Sequence, residues 1–358
     1  MERAAPGATV TLRDVAAASG VSLSTASRAL DERGPGTRSA AAEHVRKVAE
    51  ELGYRRNSFA SSLRRGETRT LGVLVPRLSD TVMALMFEEL ERAASDRGLF
   101  AMVATSGDDP EDERRAAETL LDRNVDGLIL ATARLDDELP RLLRERRVTH
   151  ALVLRTDGVS PSALGDDEVG GYLAVRHLID LGHRDIAVVT GPSFTSSGVA
   201  RLAGARRAFV EAGIDPRPEW LIAAGYGIEN GFTAGETLLG AGAGSGASPS
   251  GGRLPGDRPT AVFAANDNIA LGVIAAAHRC GIAVGPDLAL VGYNDTPLSA
   301  RLSTPLSSVR VPLAQIASTA VDLILNPGKE PHIRKAMPTL IPRESSGPPR
   351  HLAGSGRG

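Results

Sequence analysis

Hydroxyls and a guanidinium crowd into Leu23-Ser-Thr-Ala-Ser-Arg28, and on a helix beginning at Leu23 most of them share one side while Ala26 and Leu30 face inward. Such a face can bond nucleic acid. Leu23 and Ser24 at the amino end would reach base edges in the major groove, Thr25, Ser27 and Arg28 suit phosphates or base edges, and Thr11 joins the set. The competing reading is a merely solvated polar face; the Gly20-Val21 turn in front of the helix favours the first. Covalent chemistry finds less support. Cys280 stands alone, so neither an internal disulfide nor a thiolate metal site can form, and the seven histidines lack ligand spacing. Neither G-x-S-x-G nor G-x-x-x-x-G-K occurs. Gly242-Ala-Gly-Ser-Gly-Ala247 fits a loose dinucleotide pattern but follows a helical stretch rather than a strand, which removes the motif's mechanism. No catalytic residue, metal or cofactor is expected.

The elements that must position these residues change character along the chain. Thr11-Leu-Arg-Asp14 has capping-box spacing, Gly20 stops that helix, and Ser22 can cap the next, Leu23 to Leu30. In a third, from about Ser39 to Leu52, Val45, Val48, Ala49 and Leu52 recur at helical spacing. This is a helix-turn-helix pattern. Asn57–Gly66 reads as one short helix, marginal by itself. From Leu71 onward apolar strands alternate with amphipathic helices, the signature of parallel, doubly wound sheets. Strands are expected at 71–75, 100–103, 127–131, 150–154, 186–190, 221–224, 261–265 and 288–292, and helices at 84–97, 112–123, 172–181, 201–212 and 269–280. That is more than one compact sheet usually holds, so two lobes are expected. Residues 240–259 read as a Gly, Ala, Ser and Pro loop, and the tail from 345 to 358 as disordered.

Charge follows the same division. The net is only −2, but Lys and Arg outnumber Asp and Glu by 12 to 8 over residues 1–70 and fall short by 29 to 35 over the rest. Residues 1–20 contain no continuous apolar stretch, and no run has membrane-span length. A cytoplasmic location is the expectation.

Over Thr11 to about Arg343 the sequence resembles the lac-repressor (LacI/GalR) family. The resemblance rests on Thr11–Leu30, Val125-Asp-Gly-Leu-Ile, Leu181-Gly-His-Arg, Arg201-Leu-Ala-Gly204, Ala265-Asn-Asp267, Val291-Gly-Tyr-Asn-Asp295 and Thr304-Pro-Leu-Ser-Ser-Val309. It implies an all-α helix-turn-helix headpiece (9–56), a hinge helix (57–66) and an α/β two-lobed domain of the periplasmic-binding-protein type (70–344). The lobes would be about 70–162 plus 294–327, and about 163–293 plus 328–344. The implied activity is transcriptional repression by a homodimer on a near-palindromic, double-stranded operator, controlled by a small-molecule effector, most simply a sugar. In the hinge, Leu63 would wedge into the minor groove, Ala60 would permit close approach, and Asn57, as helix cap, and Arg64 would lie by the DNA. In the cleft, Arg201 would fork onto hydroxyls or a carboxylate, and Asn266 and Asn294 would sit at the carboxyl edges of two strands. Asp166 would accept from a hydroxyl and Tyr226 would stack on the ligand.

The sequence departs from the family's pattern at Asp80-Thr-Val82, where Asn-Pro-Phe is frequent, at Asn294, where Asp is frequent, and at Arg38-Ser-Ala-Ala-Ala42. Asp80 and Asn294 are cleft positions, so the first two departures bear on which effector is bound. Two other classes compete. A transporter's solute-binding protein would share the lobes but needs a leader and has no use for residues 9–65. An α/β enzyme needs a nucleophile with a base, paired acids or a phosphate loop, none of which is evident.

Overall fold

Side-chain caps set where the helices begin. In the computed structural model, which describes residues 10–30, 39–54, 67–240, 258–328 and 332–349, Thr11 and Asp14 form a reciprocal capping box ahead of α1 (Leu12–Ala18). Ser22 caps α2 (Leu23–Ala29) and Ser39 caps α3 (Ala40–Glu51). Gly20, at φ +66°, turns the chain between α1 and α2 in the left-handed conformation open to glycine. Val15, Ala26 and Val45 are fully buried between the three helices, with Tyr54 packed against them. These residues belong to a compact unit ending at Thr68; the rest of the chain, from Arg69, forms a second.

The second unit is built on two six-stranded sheets. The strands are β1 (Thr70–Val75), β2 (Phe100–Thr105), β3 (Gly127–Leu130), β4 (His150–Val153), β5 (Ser162–Gly165), β6 (Ile186–Thr190), β7 (Leu221–Ala223), β8 (Ala261–Ala264), β9 (Ala289–Asn294), β10 (Ser307–Arg310), β11 (Ile333–Ala336) and β12 (Thr339–Ile341). The first sheet runs β11-β5-β4-β3-β1-β2 and the second β12-β10-β9-β8-β6-β7, with only β12 antiparallel to its neighbour. Alternate residues of β1 face opposite ways: Leu71, Val73 and Val75 join the layer under α4 (Thr81–Ser95) and α11 (Leu313–Leu325), while Leu74 packs with Leu120 of α5 (Pro110–Leu121) and Leu143 of α6 (Glu138–Glu145). The second sheet is sandwiched in the same way. α7 (Asp167–Asp180) and α8 (Ser196–Glu211) cover one face, α9 (Ile228–Gly235) and α10 (Asp267–Arg279) the other.

This topology corrects the expected lobe boundaries. Strand β10 pairs with β9, so the chain from 294 to 310 stays in the second lobe, and β5 and β11 pair with each other in the first. The chain therefore crosses between lobes at Gly165-Asp166, at Val311-Pro312 and at Met337-Pro338. The tail also departs from expectation in its first residues. Ser345 is fully buried: its hydroxyl donates to the Leu290 carbonyl (2.6 Å) and accepts from the Ser307 amide (2.8 Å). His183 reaches the Gly347 carbonyl at 2.8 Å. Residues 350–358, the 242–247 glycine pattern and the hinge positions Asn57, Ala60, Leu63 and Arg64 lie outside the described residues.

Candidate functional site

On α2 the side chains divide as the helical spacing predicts. Ala26 and Ala29 are buried, Leu30 partly, and Leu23, Ser24 and Arg28 are exposed, Leu23 at 44% despite its apolar side chain. Thr25 and Ser27 are half-buried. The Ser22 hydroxyl lies 2.9 Å from that of Ser24 and 2.8 Å from that of Thr25, so a local chain of hydroxyls covers the start of the helix. Arg28 Nε bonds the Ser24 carbonyl at 3.3 Å, which leaves the terminal guanidinium nitrogens to outside acceptors. Thr11 is exposed, and its hydroxyl is already engaged with Asp14 at 2.7 Å. The most available groups are Leu23, Ser24 and Arg28.

In the larger unit the carboxyl edges of both sheets meet across a cleft, the place where open α/β sheets receive ligands. Several contacts cross it. The Leu135 amide donates to the Phe194 carbonyl (2.9 Å), the Thr156 amide to Ser196 Oγ (2.9 Å), and Asn268 Nδ2 to Asp80 Oδ1 (3.1 Å). The Arg134 guanidinium lies 3.8 Å from the Phe194 ring centre.

Arg201 sits on α8, buried rather than at a helix start. Its Nε donates to Asp167 Oδ1 (2.8 Å), Nη1 to the Ala265 carbonyl (2.5 Å), and the guanidinium lies 3.7 Å from the Tyr293 ring centre. Burial opposes its charge, but Asp167 at the start of α7 overrides this and holds the arginine protonated. Burial pushes the Asp167 carboxyl up, against the pull of Arg201 and the Tyr293 hydroxyl, which donates at 3.0 Å. Arg201 is thus a pillar between two helices and a strand edge, and what it can offer a ligand is Nη2.

Tyr226 lies against Gly191, where any Cβ would stand 2.2 Å from its ring. Its hydroxyl is 3.1 Å from Thr195 Oγ1 and 3.0 Å from Ser197 Oγ. Asn266 is occupied by structure: Oδ1 caps α10 by accepting from Ile269 (2.7 Å), and Nδ2 donates to the Tyr226 carbonyl (2.9 Å). Asp80 likewise caps α4, and burial raises its carboxyl above the usual range. Asp166 caps α7 at the first lobe crossing, 3.4 Å from Lys335 Nζ. Asn294 ends β9 at φ 102°, a left-handed conformation that strains a non-glycine residue.

Sequence reasoning missed Arg155, two residues after the end of β4. It is 6% exposed, yet its one hydrogen bond is a long one, from Nη1 to the Thr132 carbonyl at 3.4 Å. Its guanidinium lies 5.5 Å from the ring centre of Tyr226 in the opposite lobe. The edge-of-strand rule that singled out Asn266 and Asn294 applies equally here. Glu113 was missed too; burial, with Asp137 nearby, raises its carboxyl to about 7, bonded to the Thr132 hydroxyl.

A helix-turn-helix unit joined to a two-lobed α/β binding domain defines a ligand-responsive DNA-binding regulator. Residues 11–57 match the model of bacterial regulatory proteins of the lacI family, and residues 175–346 that of the periplasmic binding protein-like domain. The chain is 31% identical over 350 residues to the ribose operon repressor of Haemophilus influenzae, covering 94% of this chain and 98% of that one. It is 31% identical over 348 residues to the transcriptional repressor PurR of Erwinia tasmaniensis, covering 94% and 96%. Among solved structures, a lac repressor dimer bound to operator and the anti-inducer ONPF is similar with a TM-score of 0.80 at 26% identity, covering 95% of this chain and all of that one. A CelR–cellobiose complex is similar with a TM-score of 0.68 at 29% identity, covering 94% and 100%. The chain belongs to the LacI family of transcriptional repressors; it is not an enzyme of α/β type. Among the described residues no helix is long and apolar enough to cross a membrane, and no cluster of His, Cys, Asp and Glu could hold a metal ion.

Proposed function

We propose that the chain represses transcription in the cytoplasm as a homodimer on a near-palindromic operator, and that a small molecule, a sugar or sugar derivative, seated in the cleft sets its affinity for DNA. The observation that carries this is one chain joining an exposed recognition face on α2 to a polar cleft at the carboxyl edges of two sheets. One short helix reads few base pairs, so two copies are needed for a specific site. Relatives that include a ribose operon repressor and a cellobiose complex support a carbohydrate.

Leu23 and Ser24 read base edges in this proposal, the leucine suited to a thymine methyl, while Arg28 holds a phosphate. In the cleft, Arg201 Nη2, Tyr226 and Asn294 face the effector, and Asp80, Asp166 and Asn266 hold the helix starts around it. The cavity beside Arg155 has a volume of about 10 Å³, room for one water. A sugar therefore enters when the contacts across the cleft part, and a ligand that favours one lobe arrangement shifts DNA affinity by that preference.

Footprinting and operator-shift assays with a panel of sugars test the reading. Two symmetric half-sites protected by a dimer, with affinity altered by one of the sugars, are expected; one asymmetric half-site covered by a monomer would sink the homodimer. For the hinge, Leu63→Ala should weaken operator binding and reduce DNA bending in a circular-permutation assay. Unchanged bending with a lower melting temperature would make Leu63 a packing residue.

A further inference from the structure

Arg155 is a buried cation whose own protein gives it almost nothing to bond. Desolvating a guanidinium is costly unless acceptors replace the lost water, and a 3.4 Å contact to one carbonyl is a poor replacement. Asp108 and Asp80 favour its charge from a distance, but no nearby carboxylate bonds it. Asp108 pairs with Arg77, Asp109 caps α5, Glu113 bonds Thr132, Asp80 bonds Asn268, and Asp167 bonds Arg201. Among the described residues no sealed side-chain nitrogen or oxygen lacks a partner, so Nε and Nη2 of Arg155, which make no hydrogen bond, are not sealed from solvent. The backbone in front is held in an unfavourable state: Leu154 has φ 62°, in a region that bulky side chains avoid. Strain and an unsatisfied charge at one strand end both reduce stability, and they occur where two lobes face each other.

We propose that the effector is an acid, a sugar acid or sugar phosphate, whose oxyanion is gripped in a fork by Arg155, the guanidinium that lies over the Tyr226 ring. This rests on the cleft being the effector site and narrows what it takes. A planar guanidinium with two free donors matches a carboxylate or phosphate in bidentate fashion, and burial strengthens the bond. The same burial lowers the basicity of Arg155, a penalty that an anionic partner removes.

The test compares the full-length wild type with Arg155→Gln and Arg155→Met by thermal unfolding at equal ionic strength in sodium chloride, sodium phosphate or sodium acetate. The expected result is a rise of about 3 °C in the wild type with phosphate or acetate over chloride. Neither variant should show that increment. Phosphate alone acting indicates a phosphoryl group and acetate alone a carboxylate. Equal responses in all three proteins, zero included, overturn the proposal. Operator-shift assays with ribose and ribose 5-phosphate separate it from the reading it rests on. Ribose releasing wild type and Arg155→Gln at the same concentration would leave the cleft as effector site and remove the acid. An anion response confined to the wild type, with operator binding indifferent to bound anion, would keep the anion site and remove its control of DNA.

Discussion

Arg201 has a structural role that its place in the sequence does not disclose. Taking it away strands Asp167 in the interior, and breaking such a pair costs about 3–5 kcal/mol, where a rim contact would cost under 1 kcal/mol. Arg201→Met should therefore lower stability in urea titrations by about that amount. Adding Asp167→Leu should recover a large part of the loss; additive losses would show that the two residues do not act as a pair. Glu113 calls for the opposite expectation about pH. Its carboxyl ionises near 7 when folded against 4.5 as the ordinary value, so the unfolded chain releases its proton first as pH rises. Stability is then lost between about pH 4.5 and 7, up to about 3 kcal/mol in all. Glu113→Gln should flatten that slope in denaturation curves, and an unchanged slope would refute it. Both residues show why residue roles were hard to read in advance. Arg201 was read from its motif as a cleft residue, while its carboxylate partner, which lies 34 positions away in sequence, left no trace there. Arg155 carried no motif at all, and only the fold reveals that it is buried with a single long hydrogen bond.

Helices that touch through glycine dominate the second lobe. A Cβ on Gly204 of α8 would stand 1.8 Å from the Glu168 carbonyl of α7, and one on Gly171 of α7 would stand 2.1 Å from the Arg201 carbonyl of α8. The pair α9 and α10 repeats the arrangement with Gly231 and Gly272. Alanine would gain about 1 kcal/mol in helix propensity. The clash is with backbone, which no rotamer relieves, and overpacking of this kind costs about 1–3 kcal/mol. Gly204→Ala should thus be net destabilising, read as a lower melting temperature; a rise would mean the helices separate freely. At this scale much was visible beforehand. Strands such as Ile186–Thr190 were legible because a buried parallel strand is a continuous apolar run. Helix starts were read late, at Ala84 rather than Thr81 and at Arg201 rather than Ser196, because the caps that set them, Asp80 and Thr195, lie four and six residues earlier. The strands β5, β10, β11 and β12 were missed: three or four residues such as Ser307–Arg310 are too short and too polar to show a period.

For the molecule as a whole, the two-lobed plan was readable from alternation and the division of the lobes was not. The assignment of 294–310 turned on a pairing between β9 and β10, which is a fact of register and leaves no local trace. Ion pairs lie at or beside the three crossings that result. Asp166 at the first faces Lys335 beside the third, and Asp295, its side chain 3% exposed, takes Arg310 at 2.7 Å and Arg343 at 2.6 Å. Dissolved ions weaken the pairs made by Lys335 and Arg310, both half exposed or more, and reach that of Arg343, whose side chain is 15% exposed, less. Ionic strength accordingly acts on this repressor in two places. It loosens the headpiece from phosphates by counterion release, and it softens the exposed ion pairs at the lobe crossings. A plot of operator affinity against salt, taken with effector present, would then count something besides phosphates, and the number of DNA contacts should be drawn from the slope of the effector-free protein.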